Sequence, residues 1–103
     1  MHCSTCDMPL NKKEDVGLIK GKESFCRYCV DKEGNVKSPE LIFNGGVSFF
    51  MHAIPGTSVE LAERLTRKNM KSLSYWREKN EPCLQGLEAT NAEYTEAMKQ
   101  LGE

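Results

Sequence analysis

No apolar run in this sequence approaches the ~20 residues a membrane-spanning helix needs. No basic segment leads into an apolar one at its start, which predicts no signal peptide and a cytoplasmic protein. Neither sign of charge is in excess. Lys and Arg number 14 and Asp and Glu 15, so bulk charge argues for neither nucleic acid nor a membrane surface. Also missing are a Gly-x-Ser-x-Gly elbow, a phosphate-cradling Walker loop and a His-Glu-x-x-His helix. Neither His2 nor His52 is followed by x-Glu, and no proline precedes a Cys-x-x-Cys pair, so the deaminase pattern is absent as well. There is no internal repeat and no low-complexity stretch. The expectation from these absences is a protein that is not an enzyme.

What is present is a chain of 103 residues, 39% apolar and 28% charged, which reads as one small folded domain with or without an appendage. Its core is modest, so a metal or a partner chain would help to hold it. Five cysteines occur, four of them within the first 29 residues. A reducing cytosol keeps thiols free, which turns paired cysteines toward metal binding or catalysis.

Cys3-x-x-Cys6 and Cys26-x-x-Cys29 are separated by 19 residues. That interval lies within the spacing of four-cysteine zinc sites. The cause is mechanical. Two residues between cysteines let one tight turn aim both sulfurs at one ion, and two such turns make a tetrahedron with Zn–S of about 2.3 Å. Four thiolates leave no open position, so the site reads as structural, with one zinc per chain on Cys3, Cys6, Cys26 and Cys29. An iron–sulfur cluster is the alternative occupant. A thioredoxin-like redox site uses one such pair inside a βαβ frame, and no such alternation surrounds either pair here. His2 adjoins Cys3 but reads as a solvated side chain, and Cys83 as a partly buried apolar filler.

The loop between the pairs supports the site. Leu18-Ile19-Lys20 and Glu23-Ser24-Phe25 flank Gly21-Lys22, which predicts a tight hairpin returning Cys26 toward the first pair. Gly34 lets the chain turn out of the second pair. Lys12, Lys13, Lys20, Lys22 and Arg27 read as a solvated face that would also offset the charge of four thiolates on one dication.

"HCSTCDMPL" followed by "SFCRYCVDKEGN" resembles a zinc ribbon domain family of small bacterial and archaeal proteins. That family opens with Cys-x-x-Cys-Gly-Met-Pro-Leu and continues to a Tyr-Cys-x-Tyr-Cys pair. Cys3, Cys6, Met8, Pro9, Leu10, Cys26, Tyr28 and Cys29 match it. Asp7 stands where glycine is usual, and Phe25 where tyrosine is usual. Aspartate tolerates left-handed backbone better than most residues, so the first turn is expected to survive. The likeness covers residues 1–36, and "NMKSLSYW" is similar to the family's Leu-x-x-Trp tail. What the resemblance implies is zinc binding, with no defined biological role beyond a regulatory label.

Beyond the cysteines, Ser38-Pro39-Glu40 is a helix start. Phe43, Val47, Phe50, Met51 and Ile54 share one helical face, predicting a core-facing helix over about 39–53. Gly45-Gly46 weakens it by about 2 kcal/mol against alanines and is where a break would fall. Pro55-Gly56 is a turn. Thr57-x-x-Glu60 reads as a capping box before a helix over about 58–70, with a second turn or helix through 79. Leu61, Leu65, Met70, Leu73 and Trp76 supply its apolar face. The stretch 39–80 carries six basic and four acidic residues, and "RLTRKNMK" is its one basic run, read as a solvated face with phosphate contact as the alternative.

Residues 81–103 carry five acids and one lysine. Leu84, Leu87, Asn91, Tyr94, Met98 and Leu101 follow spacings of 3, 4, 3, 4 and 3, the seam of a coiled coil. This predicts one acidic amphipathic helix. It either pairs with a second copy to form a homodimer or packs its stripe on its own domain, and Gly86 interrupts the pattern.

The expected fold is therefore small α+β: a zinc ribbon of two Cys-x-x-Cys knuckles and a short hairpin over 1–37, a helical region over 38–80, and a C-terminal helix over 81–103. The expected function is a structural zinc-binding module for macromolecular interaction, with a protein partner and a regulatory, transcription-linked role by analogy. Direct nucleic-acid binding is the alternative, and a thiol redox enzyme the remoter one.

Overall fold

The computed structural model describes residues 1–102. Two strands, β1 (Val16–Lys20) and β2 (Glu23–Cys26), form an antiparallel hairpin across Gly21-Lys22. The register runs Lys20 to Glu23, Ile19 to Ser24 and Leu18 to Phe25, then shifts between Val16 and Leu18. Four helices follow: α1 (Pro39–Ala53), α2 (Val59–Ser72), the single turn α3 (Ser74–Arg77) and α4 (Asn91–Gln100). No helix among the described residues is long and apolar enough to cross a membrane.

Helix α1 starts where the sequence places it. The Ser38 hydroxyl accepts the Leu41 N–H at 3.3 Å, and Pro39 takes the first turn. The helix runs unbroken through Gly45-Gly46. The reason lies at Gly46, where α1 meets α2: a Cβ there would lie 2.7 Å from Thr66 Cγ2. Thr66 is buried and bonds the Ala62 carbonyl at 2.7 Å, so it cannot swing aside. Gly45 faces open space.

The cap of α2 differs from expectation. The Ser58 hydroxyl, not that of Thr57, accepts the Leu61 N–H at 3.1 Å, while Thr57 bonds back to the Ile54 carbonyl at 2.8 Å. Adjacent hydroxyls compete for one job, and the one in register with the first free N–H takes it.

The segment 81–102 is not one helix. A short 3₁₀ turn at Pro82–Leu84 leads into extended chain, and α4 begins only after Thr90. Gly86 at φ +130° breaks the run, and a capping box between Thr90 and Glu93 starts the new helix. The heptad seam therefore does not form. Leu84 is buried, Leu87 is 77% exposed, and Tyr94, Met98 and Leu101 lie half-buried against the chain's own core.

Two apolar clusters make that core. One joins Cys3, Cys26 and Cys29 to Ile42, Phe43, Met70, Trp76 and Leu84. The other joins Phe50 and Ile54 to Ala62, Leu65, Ala89 and Ala97. Val47 touches both. The stripe expected on α1 thus packs inward, and the cysteine pairs sit inside the same core as the helices.

The two glycines give a paired prediction. Gly46→Ala should destabilise the zinc-loaded protein by about 1–3 kcal/mol through the clash with Thr66. Gly45→Ala should stabilise it by about 0.5–1 kcal/mol through helix propensity and unfolded-chain entropy. Urea unfolding midpoints of the two variants check this, and shifts of the same sign would contradict it.

Candidate metal centre

The first knuckle is residues 3–7. The Asp7 N–H bonds the Cys3 carbonyl at 2.8 Å, and Asp7 takes φ +66°, the left-handed conformation that closes the turn. The Cys3 N–H bonds the Met8 carbonyl at 2.9 Å, which folds the segment carrying Pro9 and Leu10 back against it. The second knuckle is a 3₁₀ turn, Arg27–Cys29, entered directly from β2. The Asp31 carboxylate accepts the N–H groups of Glu33 and Asn35, and the Lys37 N–H returns to the Cys29 carbonyl at 2.8 Å, so the exit is tied as well.

Serines join the first knuckle to β2, the strand that leads into the second. Ser4 N–H donates to the Ser24 carbonyl at 2.7 Å, and the Ser24 hydroxyl donates to the His2 carbonyl at 2.9 Å. His2 is used through its backbone, and its side chain stays exposed. Gly17 is a residue the sequence reading missed. A Cβ there would lie 2.9 Å from Arg27 Cα and from the Cys26 carbonyl oxygen. The strand thus runs its bare backbone against the second knuckle at the register shift. A glycine inside a strand was the available signal.

This framework brings the four sulfurs of Cys3, Cys6, Cys26 and Cys29 within 4.8 Å of one another. Separations of 3.5 Å (Cys26–Cys29), 3.6 Å (Cys6–Cys26) and 3.9 Å (Cys3–Cys29) bracket the edge of about 3.8 Å that a tetrahedron with 2.3 Å metal–sulfur bonds requires. The Cys26 N–H points at Cys3 Sγ (3.2 Å), and Thr5 Oγ1 lies 3.1 Å from the same sulfur. Such donors stabilise a thiolate.

The thiols perturb one another. Hydrogen bonds from Cys26, Cys29 and Cys6 hold the Cys3 thiol far below its ordinary pKa, against the opposing effect of burial. Cys26 is lowered to about 7, chiefly by its bond with Cys29. Cys6 and Cys29 are pushed well above the thiol range, in each case most by the bond with Cys26. By their own hydrogen bonds the four can share charge but cannot all ionise. A dication at the centre removes that limit, and the donor set suits zinc.

The family described as "Putative zinc ribbon domain" matches residues 2–77. The chain belongs to that family. No curated protein and no solved structure matches the chain. In this zinc ribbon the four cysteines lie together as a single zinc site. Cys83 is not among the four; it lies half-buried against the same apolar cluster that holds Cys3, Cys26 and Cys29, with burial raising its pKa. Lys12, Lys13, Lys20, Lys22 and Arg27 are exposed.

The ribbon is bonded to the helices at two carbonyls of its first knuckle. Trp76 Nε1 donates to the Thr5 carbonyl at 2.9 Å. Asn69 Nδ2 donates to the Cys6 carbonyl at 2.9 Å, and Asn69 Oδ1 accepts from the Tyr94 hydroxyl at 3.2 Å. Asn69 was not singled out in the sequence. Its partner is 63 residues away, and no local pattern marks it.

Cys26→Ser should purify without its zinc, and Cys83→Ser should keep one zinc per chain. Elemental analysis of protein made without added metal measures both. Full zinc in Cys26→Ser would refute the ligand set.

Proposed function

We propose that this zinc ribbon is a structural zinc-binding module that mediates macromolecular interaction, with a protein as its partner. The observation that carries the reading is where the metal site sits. Its sulfurs converge on one another, and the knuckle that bears Cys3 and Cys6 is bonded through its carbonyls to Trp76 and Asn69. A site so placed acts as a strut for the helices. Four thiolates leave no position for substrate or water. That supports a role outside catalysis, as is typical of the family.

Large apolar side chains remain on the outside. Ile19 and Tyr28 on the ribbon, and Leu41 and Phe49 on α1, are each more than half exposed. Between Leu41 and Ile54 there is no Asp, Glu, Lys or Arg, which is unusual for a solvated helix. Such surfaces favour protein over nucleic acid. Three of the four basic residues of the run on α2 are committed elsewhere: Arg64 to Glu93, Lys71 to Glu88, and Arg67 to two backbone carbonyls. A regulatory, transcription-linked role is a reading by analogy with other zinc ribbons. A reducing compartment such as the cytoplasm suits a site of four free thiolates.

The test is affinity capture from the native cell with zinc-loaded protein, with Cys26→Ser and Phe49→Ala as comparisons. The expected result is a protein retained by the first and lost from Cys26→Ser. Tight, salt-sensitive binding to generic duplex or single-stranded nucleic acid, with no protein captured, would overturn the reading.

A further inference from the structure

The family match ends at residue 77, yet the chain continues, and the continuation lies along α2. Arg64, Arg67, Lys68 and Lys71 recur on α2 at the spacing of one helical stripe. Three of them hold the C-terminal segment. Arg64 pairs with Glu93 at 2.6 Å, and its own carbonyl accepts the Ala89 N–H at 3.0 Å. Lys71 pairs with Glu88 at 3.0 Å. Arg67 donates to the carbonyls of Cys83 and Leu87 at 3.2 and 3.3 Å, while its guanidinium lies 5.3 Å above the ring of Phe43.

The segment answers in kind. Leu84 is buried in the cluster with Phe43, Met70 and Trp76. Gly86 adopts φ +130°, and a Cβ there would lie 3.3 Å from Arg67 Cζ, so only glycine lets the arginine reach both carbonyls without strain. Glu88 follows two residues later. Residues 81–102 carry four acids against one lysine, opposite in sign to the stripe they cover. Their tether, Glu78–Lys79–Asn80, is exposed.

We propose that Arg67 and Lys71 of the α2 stripe form a docking site for a protein segment of the form Leu-x-Gly-x-Glu, which this chain's own residues 84–88 occupy in cis, with Arg64 holding the residues that follow. The leucine fills the pocket beside Phe43, the glycine admits Arg67 to the backbone, and the glutamate meets Lys71. A partner bearing such a segment competes with the chain's own. This rests on the reading of the protein as an interaction module, and it fails separately: a chain that captures a zinc-dependent partner but fails the exchange below keeps that reading and loses only this site.

The experiment cuts the full, zinc-loaded chain at a protease site engineered into residues 78–80. The probe is a labelled synthetic peptide of residues 80–102. At about 50 mM salt the cut fragment should stay bound and exchange for the peptide, and binding should weaken as salt rises toward 0.5 M. A peptide carrying Leu84→Asp should bind at least tenfold more weakly. Lys71→Glu in the body should weaken binding about fivefold. Three results overturn the proposal. The fragment does not exchange; or its removal strips zinc and helical circular dichroism, making it a core element rather than a ligand; or a duplex oligonucleotide displaces the peptide where excess unlabelled peptide does not, making the stripe a nucleic-acid surface.

Discussion

Four sulfurs within 4.8 Å of one another cannot all carry charge unless a cation sits among them. Everything else in this protein depends on how that conflict is resolved. The knuckles, the hairpin and the serine bonds between them hold the thiols at the separations a tetrahedral ion needs. Each of these devices is local and small. Without a metal to satisfy them, a ribbon this short has too little apolar area to hold its shape. Zinc binding is therefore expected to couple to folding of the ribbon.

The consequence spreads through two carbonyls. Thr5 and Cys6 lie inside the first knuckle, and their carbonyl oxygens are fixed only when that turn is formed. Trp76 and Asn69 read those oxygens from α3 and α2. Neither donor could be buried without a partner at low cost. Tyr94 extends the chain of bonds to α4 through Asn69. The metal site is thus wired to all but the first of the four helices by hydrogen bonds. It touches α1 by packing, since Ile42 and Phe43 share a cluster with Cys3, Cys26 and Cys29.

How much of this was legible in the sequence follows from the range of each signal. The cysteine spacing, the Gly21-Lys22 hairpin and the Ser38-Pro39 start of α1 are short-range patterns, and each appears where the residues place it. Aspartate at position 7 adopts the left-handed turn where the family's pattern has glycine. The choice between Thr57 and Ser58 as cap was not legible, because both hydroxyls are chemically able and only the helix register decides. The heptad seam over 84–101 misled because its apolar spacing was genuine while Gly86 and the Thr90–Glu93 box divided it. Asn69 was invisible for a different reason: its importance comes from a backbone carbonyl that arrives from elsewhere in the chain, which no local pattern encodes. Gly17 did leave a trace, as a glycine inside a strand, but not the identity of the backbone it meets.

The central claim is that zinc at the four cysteines fixes the first knuckle, and that the knuckle in turn fixes the helices. Trp76 is the chain's one tryptophan, so its indole N–H gives a single, assignable nuclear magnetic resonance signal. Stepwise chelation while following that signal tests the claim most directly. The account predicts that the hydrogen-bonded, exchange-protected resonance disappears in proportion to zinc removed and returns when one equivalent is added back. An indole N–H that keeps its shift and its protection after all zinc has gone would contradict it.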